Sequence, residues 1–175
     1  MNLANLFKPL RLSARVSAGL LILRLVVGLA FVFHGYGKIQ NPLGWMGPDA
    51  NVPGFFQLLA AISEFGGGLA WMLGLLTPLA SFGIACTMTV AVSLHAFVLH
   101  DPFVAKGPGS GSYEPASVYF CLAVFFLLAG PGRFSLDRVI FSEKASGAPS
   151  PDPSPETNET MKTTNPQPRR THAVR

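Results

Sequence analysis

The sequence predicts an all-α integral membrane protein: a four-helix bundle with a short basic arm before it and a disordered tail after it. Three observations predict this. Only 13% of the 175 residues are charged, against about 25% in a soluble domain. The apolar residues fall in long blocks rather than in a short-period amphipathic pattern, and mean hydropathy is +0.39. Four such blocks occur, separated by Gly/Pro-rich loops or a tight turn, and a helix needs about 20 predominantly apolar residues to cross a bilayer. The net charge of +4 sits largely on Lys and Arg that flank the blocks or lie in the tail, so it reports topology. No basic patch is interleaved with aromatics, and nucleic acid is not an expected partner.

Residues 1–17 form the basic arm, with Lys8, Arg11 and Arg15. The first span covers about 19–39 and reads GLLILRLVVGLAFVFHGYGKI. A signal peptide would also place basic residues before an apolar run. This run contains Arg24, is long, and ends in HGYGK rather than at a small-residue cleavage site, so an uncleaved span is expected. The loop NPLGWMGPDANVP follows, with Trp45 placed as an interfacial anchor. The second span covers about 54–76 and holds Glu64. At Thr77-Pro78 the chain turns tightly; Thr77 can cap the next helix, and Pro78 suits its first position. The third span, about 78–99, holds His95, with His100 at its end. The loop HDPFVAKGPGSGSY leads to the fourth and shortest span, about 114–129, which stops at Gly130-Pro131-Gly132. RFSLDRVIF reads as a short interfacial helix capped by Ser135.

The transmembrane domain is thus 18–142. From 143 to 175 the chain turns to Ser, Thr, Pro and charge, cannot bury a core, and is expected to be a disordered cytoplasmic tail. Basic residues cluster in the arm and after the fourth span (Arg133, Arg138, Lys144), which puts both termini in the cytoplasm. That placement removes Asn158-Glu159-Thr160 as a glycosylation site.

Ionisable groups inside a membrane are costly and suggest function. On a helical wheel, Gly28, Phe31, Gly35 and Lys38 fall within about 40° of Arg24, with His34 about 80° to the side. This half of the span should face the bundle interior, and its glycines admit a close neighbour. Counting 1.5 Å per residue from the cytoplasmic ends puts Arg24 roughly 9 Å deep and Glu64 roughly 18 Å deep. They are expected to pair; snorkelling of Arg24 to the interface is the other reading. His34, Lys38, His95, Tyr113 and Glu114 are expected as an outer cluster lining a polar cavity, with Lys38 also readable as an interfacial anchor. In the second span, Ser63-Glu64-Phe65-Gly66-Gly67-Gly68 supplies a close-packing face. It lacks the strand-loop-helix context of a phosphate loop. Haem is disfavoured, although two histidines at matching depth admit axial ligation. Cys86 and Cys121, the only cysteines, form no CxxC or metal spacing and read as packing residues.

The ordered set of these positions resembles the DoxX family of small four-span bacterial inner-membrane proteins. Its carriers are Arg24-x-x-x-Gly28, Phe33-His34-Gly35 and Lys38; Glu64-Phe65-Gly66-Gly67 and Gly74-Leu75-Leu76-Thr77; His95; Tyr113-Glu114; and Gly130-Pro131-Gly132 with Ser135-Leu136-Asp137. The resemblance implies an accessory subunit of a membrane redox system, quinone-linked or sulfur/thiol-linked, with quinone as the cofactor class it admits. It supplies no catalytic residues. Dithiol exchange is not expected, because there is no cysteine pair. The implied partners are the lipid bilayer, membrane or cytoplasmic redox proteins and a second copy of the chain. Two other functions stay open: a scaffold or assembly factor without chemistry, and a small-molecule or proton transporter.

Overall fold

The computed structural model describes residues 12–142, and of Ser142 the backbone alone. The expectations made for the arm up to residue 11 and for the tail from 143 onward lie outside the described residues. Within 12–142 the chain is helical and contains no strand. The helices are α1 (Ala14–Gln40), α2 (Gly54–Leu73), α3 (Thr77–Val98), α4 (Glu114–Ala129) and α5 (Leu136–Ser142). The first three are long and apolar enough to cross a membrane, while α4 is apolar but shorter, at 16 residues.

Helix α1 begins at Ala14, earlier than the apolar block alone suggests, because Ser13 caps it: its Oγ accepts the Val16 N–H at 3.3 Å. The expected interior stripe is inside. Arg24, Gly28, Phe31 and Gly35 are buried and Lys38 is half-buried. The glycines set how α1 meets α2. A Cβ on Gly28 would lie 2.7 Å from the Gly68 carbonyl oxygen, and one on Gly35 would run into the Phe65 backbone. Backbones this close fix an antiparallel register in which Gly28 faces Gly68 and Gly35 faces Phe65.

The core is aromatic at its centre. Phe31 meets Trp71 edge-on with centroids 5.4 Å apart, Trp71 meets Phe126 at 4.7 Å, and Phe31 meets Tyr119 at 5.0 Å. Trp71 is wholly buried, so its indole N–H needs an acceptor; it donates to Ser81 Oγ at 2.9 Å. Leu20, Val27, Ile84, Met88 and Ala123 fill the space around these rings. Cys86 and Cys121 do not belong to this core. Both are free and exposed, which corrects their reading as packing residues.

The turn between α2 and α3 also differs from expectation. Gly74 takes a left-handed backbone (φ 64), and a Cβ there would meet Arg24 Nη1 at 2.7 Å and Ser135 Cβ at 2.6 Å. Thr77 does not cap α3: it is the helix's first residue, and its Oγ1 is buried without a partner. The cap comes from far along the chain. The Asp137 carboxylate accepts the Leu76 N–H at 2.6 Å and the Thr77 N–H at 2.8 Å. Asp137 N–H in turn donates to the Gly74 carbonyl at 2.9 Å. These bonds hold Leu76 in its left-handed conformation (φ 48), which a branched side chain rarely adopts. Ser135 does cap α5, its Oγ accepting the Arg138 N–H at 3.3 Å.

Candidate functional site

Two charged centres lie along α1, one at Arg24 near its middle and one at Lys38 in its last turn. At the first, Arg24 is 1% exposed, so it does not snorkel. Its guanidinium donates to the Pro131 carbonyl and, at 2.8 Å, to the Phe134 carbonyl. Gly130 (φ 70) and Gly132 (φ 78) turn the chain after α4 back toward α1, and Arg133 N–H reaches Ser17 Oγ at 3.3 Å. Arg24 therefore ties the middle of α1 to the segment after α4 and, through Gly74, to the α2–α3 turn. Its Nε is buried without a partner.

The expected Arg24–Glu64 pair is not formed, and the helix register explains why. Phe65 faces Gly35, and Arg24 lies 11 residues before Gly35 along α1. At 1.5 Å per residue that is about 16 Å, beyond the reach of an arginine. Helix α1 extends well past the level at which α2 ends, so depths counted from each helix's own end do not match. Arg24 is level with Gly74 instead.

Glu64 takes Lys38 in place of Arg24. Lys38 Nζ donates to Glu64 Oε1 at 2.5 Å, and Glu64 is 2% exposed. The lysine also sits over the Trp45 ring, 4.5 Å from its centroid. Trp45 is pinned by donating its indole N–H to the Gln57 carbonyl at 2.9 Å. The buried Gln57 side chain accepts from Met46 N–H at 3.0 Å and donates to the Val52 carbonyl at 2.8 Å. The loop from α1 to α2 is thereby fastened beside the ion pair. Glu64 lies in a π-helical turn, Ile62–Gly66, a local widening that recurs at functional sites. Its second oxygen, Oε2, is buried and accepts nothing.

The other predicted residues have separate surroundings. His34 is exposed, and its ring lies 6.3 Å from Phe31 and 5.9 Å from Tyr119. His95 Nδ1 pairs with Asp101 Oδ2 at 2.7 Å, at a second π-helical turn, Leu94–Val98. Tyr113 packs on Phe103 at 5.2 Å, and the Glu114 N–H donates to the Phe103 carbonyl at 3.0 Å. Lys38 and Glu64 are thus brought together, while His34 is directed toward α4 and His95 toward the following loop.

Residue types alone did not single out Tyr119, Asp101, Gln57 or Asp137. Tyr119 carried one signal, a phenol inside an apolar span. Asp137 carried another, an acid among apolar residues just after a Gly-Pro-Gly stop. Asp101 follows His95 by six residues, a spacing that no regular helix brings together.

A small helical membrane protein with a buried ion pair and, separate from it, a carbonyl-bound buried arginine is the class these features define. The chain belongs to the DoxX family, whose model matches residues 19–101. It is 33% identical to the inner membrane protein YqjF of Escherichia coli over 125 residues, covering 70% of this chain and 92% of that protein. It is 31% identical to an uncharacterised protein of Haemophilus influenzae, covering 71% of this chain and 92% of that one. CatD of Bacillus subtilis, which carries a provisional name as an oxidoreductase, is 26% identical, covering 74% of this chain and 92% of CatD. No solved structure matches the chain.

Proposed function

We propose that this DoxX-family protein is an accessory subunit of a quinone-linked redox system in a bacterial inner membrane. Its polar intramembrane site is centred on Glu64 and Lys38. The observation that carries the reading is the free Oε2 of Glu64: a fully buried carboxylate oxygen, in a π-helical turn of an apolar helix, with no donor. As half of an ion pair Glu64 only accepts hydrogen bonds, and an unmet buried acceptor is expensive. A ligand that brings a donor, such as a quinol hydroxyl, meets that need. The apolar surroundings and few polar groups suit a small cofactor head group.

In this reading α1 to α4 form a four-helix membrane bundle with both termini in the cytoplasm. Arg24 and its carbonyl partners then lie at the cytoplasmic end. Lys38, the His95–Asp101 pair, Tyr113 and Glu114 lie toward the outer end, with His34 beside the site. The name of YqjF supports the inner membrane, and that of CatD supports the redox role. With two free, exposed cysteines, the part assigned to this chain is binding rather than dithiol exchange.

The test is to purify the wild type and Glu64→Gln in mild detergent and quantify co-extracted quinones by mass spectrometry. Near-stoichiometric quinone in the wild type, mostly lost in Glu64→Gln at equal folded yield, is the expected outcome. Wild-type protein free of quinone, and without effect on quinol-linked rates after reconstitution, would leave the scaffold reading in its place.

A further inference from the structure

We infer that the seam between α1 and α4, at His34 and Tyr119, is a laterally open seat for the ring of a membrane quinone. This rests on the quinone-linked reading above and says where the ring docks.

The starting observation is an ionisable side chain on the wrong surface. From residue 18 to 37, the exposed side chains of α1 are Ala18, Ile22, Leu25, Val26, Leu29, Phe33, Tyr36 and His34. All but His34 are apolar or aromatic. Its imidazole has ring neighbours but no hydrogen-bond partner among the described residues, and the same holds for the half-buried Tyr119 hydroxyl. Polar groups left unpaired at membrane depth cost several kcal/mol each. Two of them lie side by side, rings 5.9 Å apart and T-shaped, on different helices. Their partner comes from outside the described residues.

The surroundings narrow what that partner is. Phe31, wholly buried, backs both rings, 5.0 Å from Tyr119 and 6.3 Å from His34. The exposed His34 ring and the half-buried Tyr119 ring offer surface to a flat apolar ring, and Phe31 supports them from inside. The phenol donates, and a neutral imidazole has one donor and one acceptor. That set matches the carbonyl oxygens of a quinone and, through the imidazole acceptor, a quinol hydroxyl. A phospholipid head group would instead call for a cation, and the nearest on this helix, Lys38, is already held by Glu64. Lys38 follows His34 by four residues, one turn along the same helix. The seam therefore adjoins the ion pair while staying open to the bilayer, so the isoprenoid chain of a bound quinone remains among lipid tails.

The experiment uses full-length protein in proteoliposomes and a photoreactive azidoquinone, with labelled residues mapped by mass spectrometry. The label is expected on α1 near residues 31–38 and on α4 near Tyr119, competed by unlabelled quinone. Labelling should fall about tenfold in a Tyr119→Phe, His34→Phe double variant, the worth of about one hydrogen bond of this kind. Both changes keep a ring in place, and folding is checked by elution profile. Labelling at the seam that the double variant leaves unchanged, or labelling elsewhere, overturns the seat. If Glu64→Gln still abolishes that labelling, the quinone-linked reading survives. No competable label on the wild type sinks both. A His34→Cys variant without Cys86 and Cys121 that oxidises to a disulfide dimer would assign the seam to a second copy of the chain, and also overturns the seat.

Discussion

The two charged centres along α1 solve the same problem in different ways. Each buries a charge that an apolar segment should not contain. At the first the Arg24 guanidinium is answered by two backbone carbonyls from the segment after α4. Neutral, immobile acceptors of this kind tie distant parts of the chain together, and Asp137 completes the lock by capping α3. At the second Glu64 is answered by one long side chain, Lys38, and one of its oxygens is left over. The first arrangement uses its charge to close the fold. The second keeps an acceptor in hand within a π-helical turn. Both centres leave one polar atom unmet, Arg24 Nε and Glu64 Oε2, so neither a buried charge nor an unmet atom by itself marks a function; the kind of partner differs, fixed backbone carbonyls at Arg24 against one long side chain beside a π-helical turn at Glu64.

That contrast can be broken from either side. Lys38→Met should be the most damaging change, because it leaves the Glu64 carboxylate buried and unpaired. We expect a loss of about 3–4 kcal/mol in detergent unfolding, largely recovered when Glu64→Gln is added. Arg24→Met should cost about 3 kcal/mol through two lost charge-assisted bonds, discounted because the Phe134 end is partly open. Arg24→Lys should recover only part of this, since an ammonium does not present two forked donors. Gly35→Ala should cost about 2 kcal/mol by pushing α1 off the Phe65 backbone. Gly37→Ala, where an added Cβ meets nothing within 4 Å, should be neutral or slightly stabilising. The mildest of the damaging changes is Asp137→Asn, which keeps one acceptor and loses about 1 kcal/mol of capping. Equal unfolding midpoints for Gly35→Ala and Gly37→Ala would show that the close α1–α2 crossing is not what aligns Lys38 with Glu64.

Much of this was legible in the residues. The last apolar block matches α4 in extent, Ser135 caps α5, and the stripe through Arg24, Gly28, Phe31, Gly35 and Lys38 faces inward. These are local properties, set by hydropathy, capping chemistry and a period of 3.6 residues. The partners of the charges were not local. Whether Glu64 meets Arg24 or Lys38 depends on how far α1 slides along α2, and that is decided where Gly28 and Gly35 touch the facing backbone. The π-helical turns at Glu64 and His95 shift side chains off the regular wheel, which hid the His95–Asp101 pair. The Asp137 cap joins residues 60 positions apart, which no spacing rule anticipates.

The separation of the two centres is tested most directly by a pair of double-mutant cycles on unfolding in detergent. One cycle combines Glu64→Gln with Lys38→Met, the other Glu64→Gln with Arg24→Met. We expect coupling above about 1 kcal/mol in the first and additivity within about 0.5 kcal/mol in the second. Strong coupling of Glu64 to Arg24, with none to Lys38, would contradict the register and the assignment of the two centres.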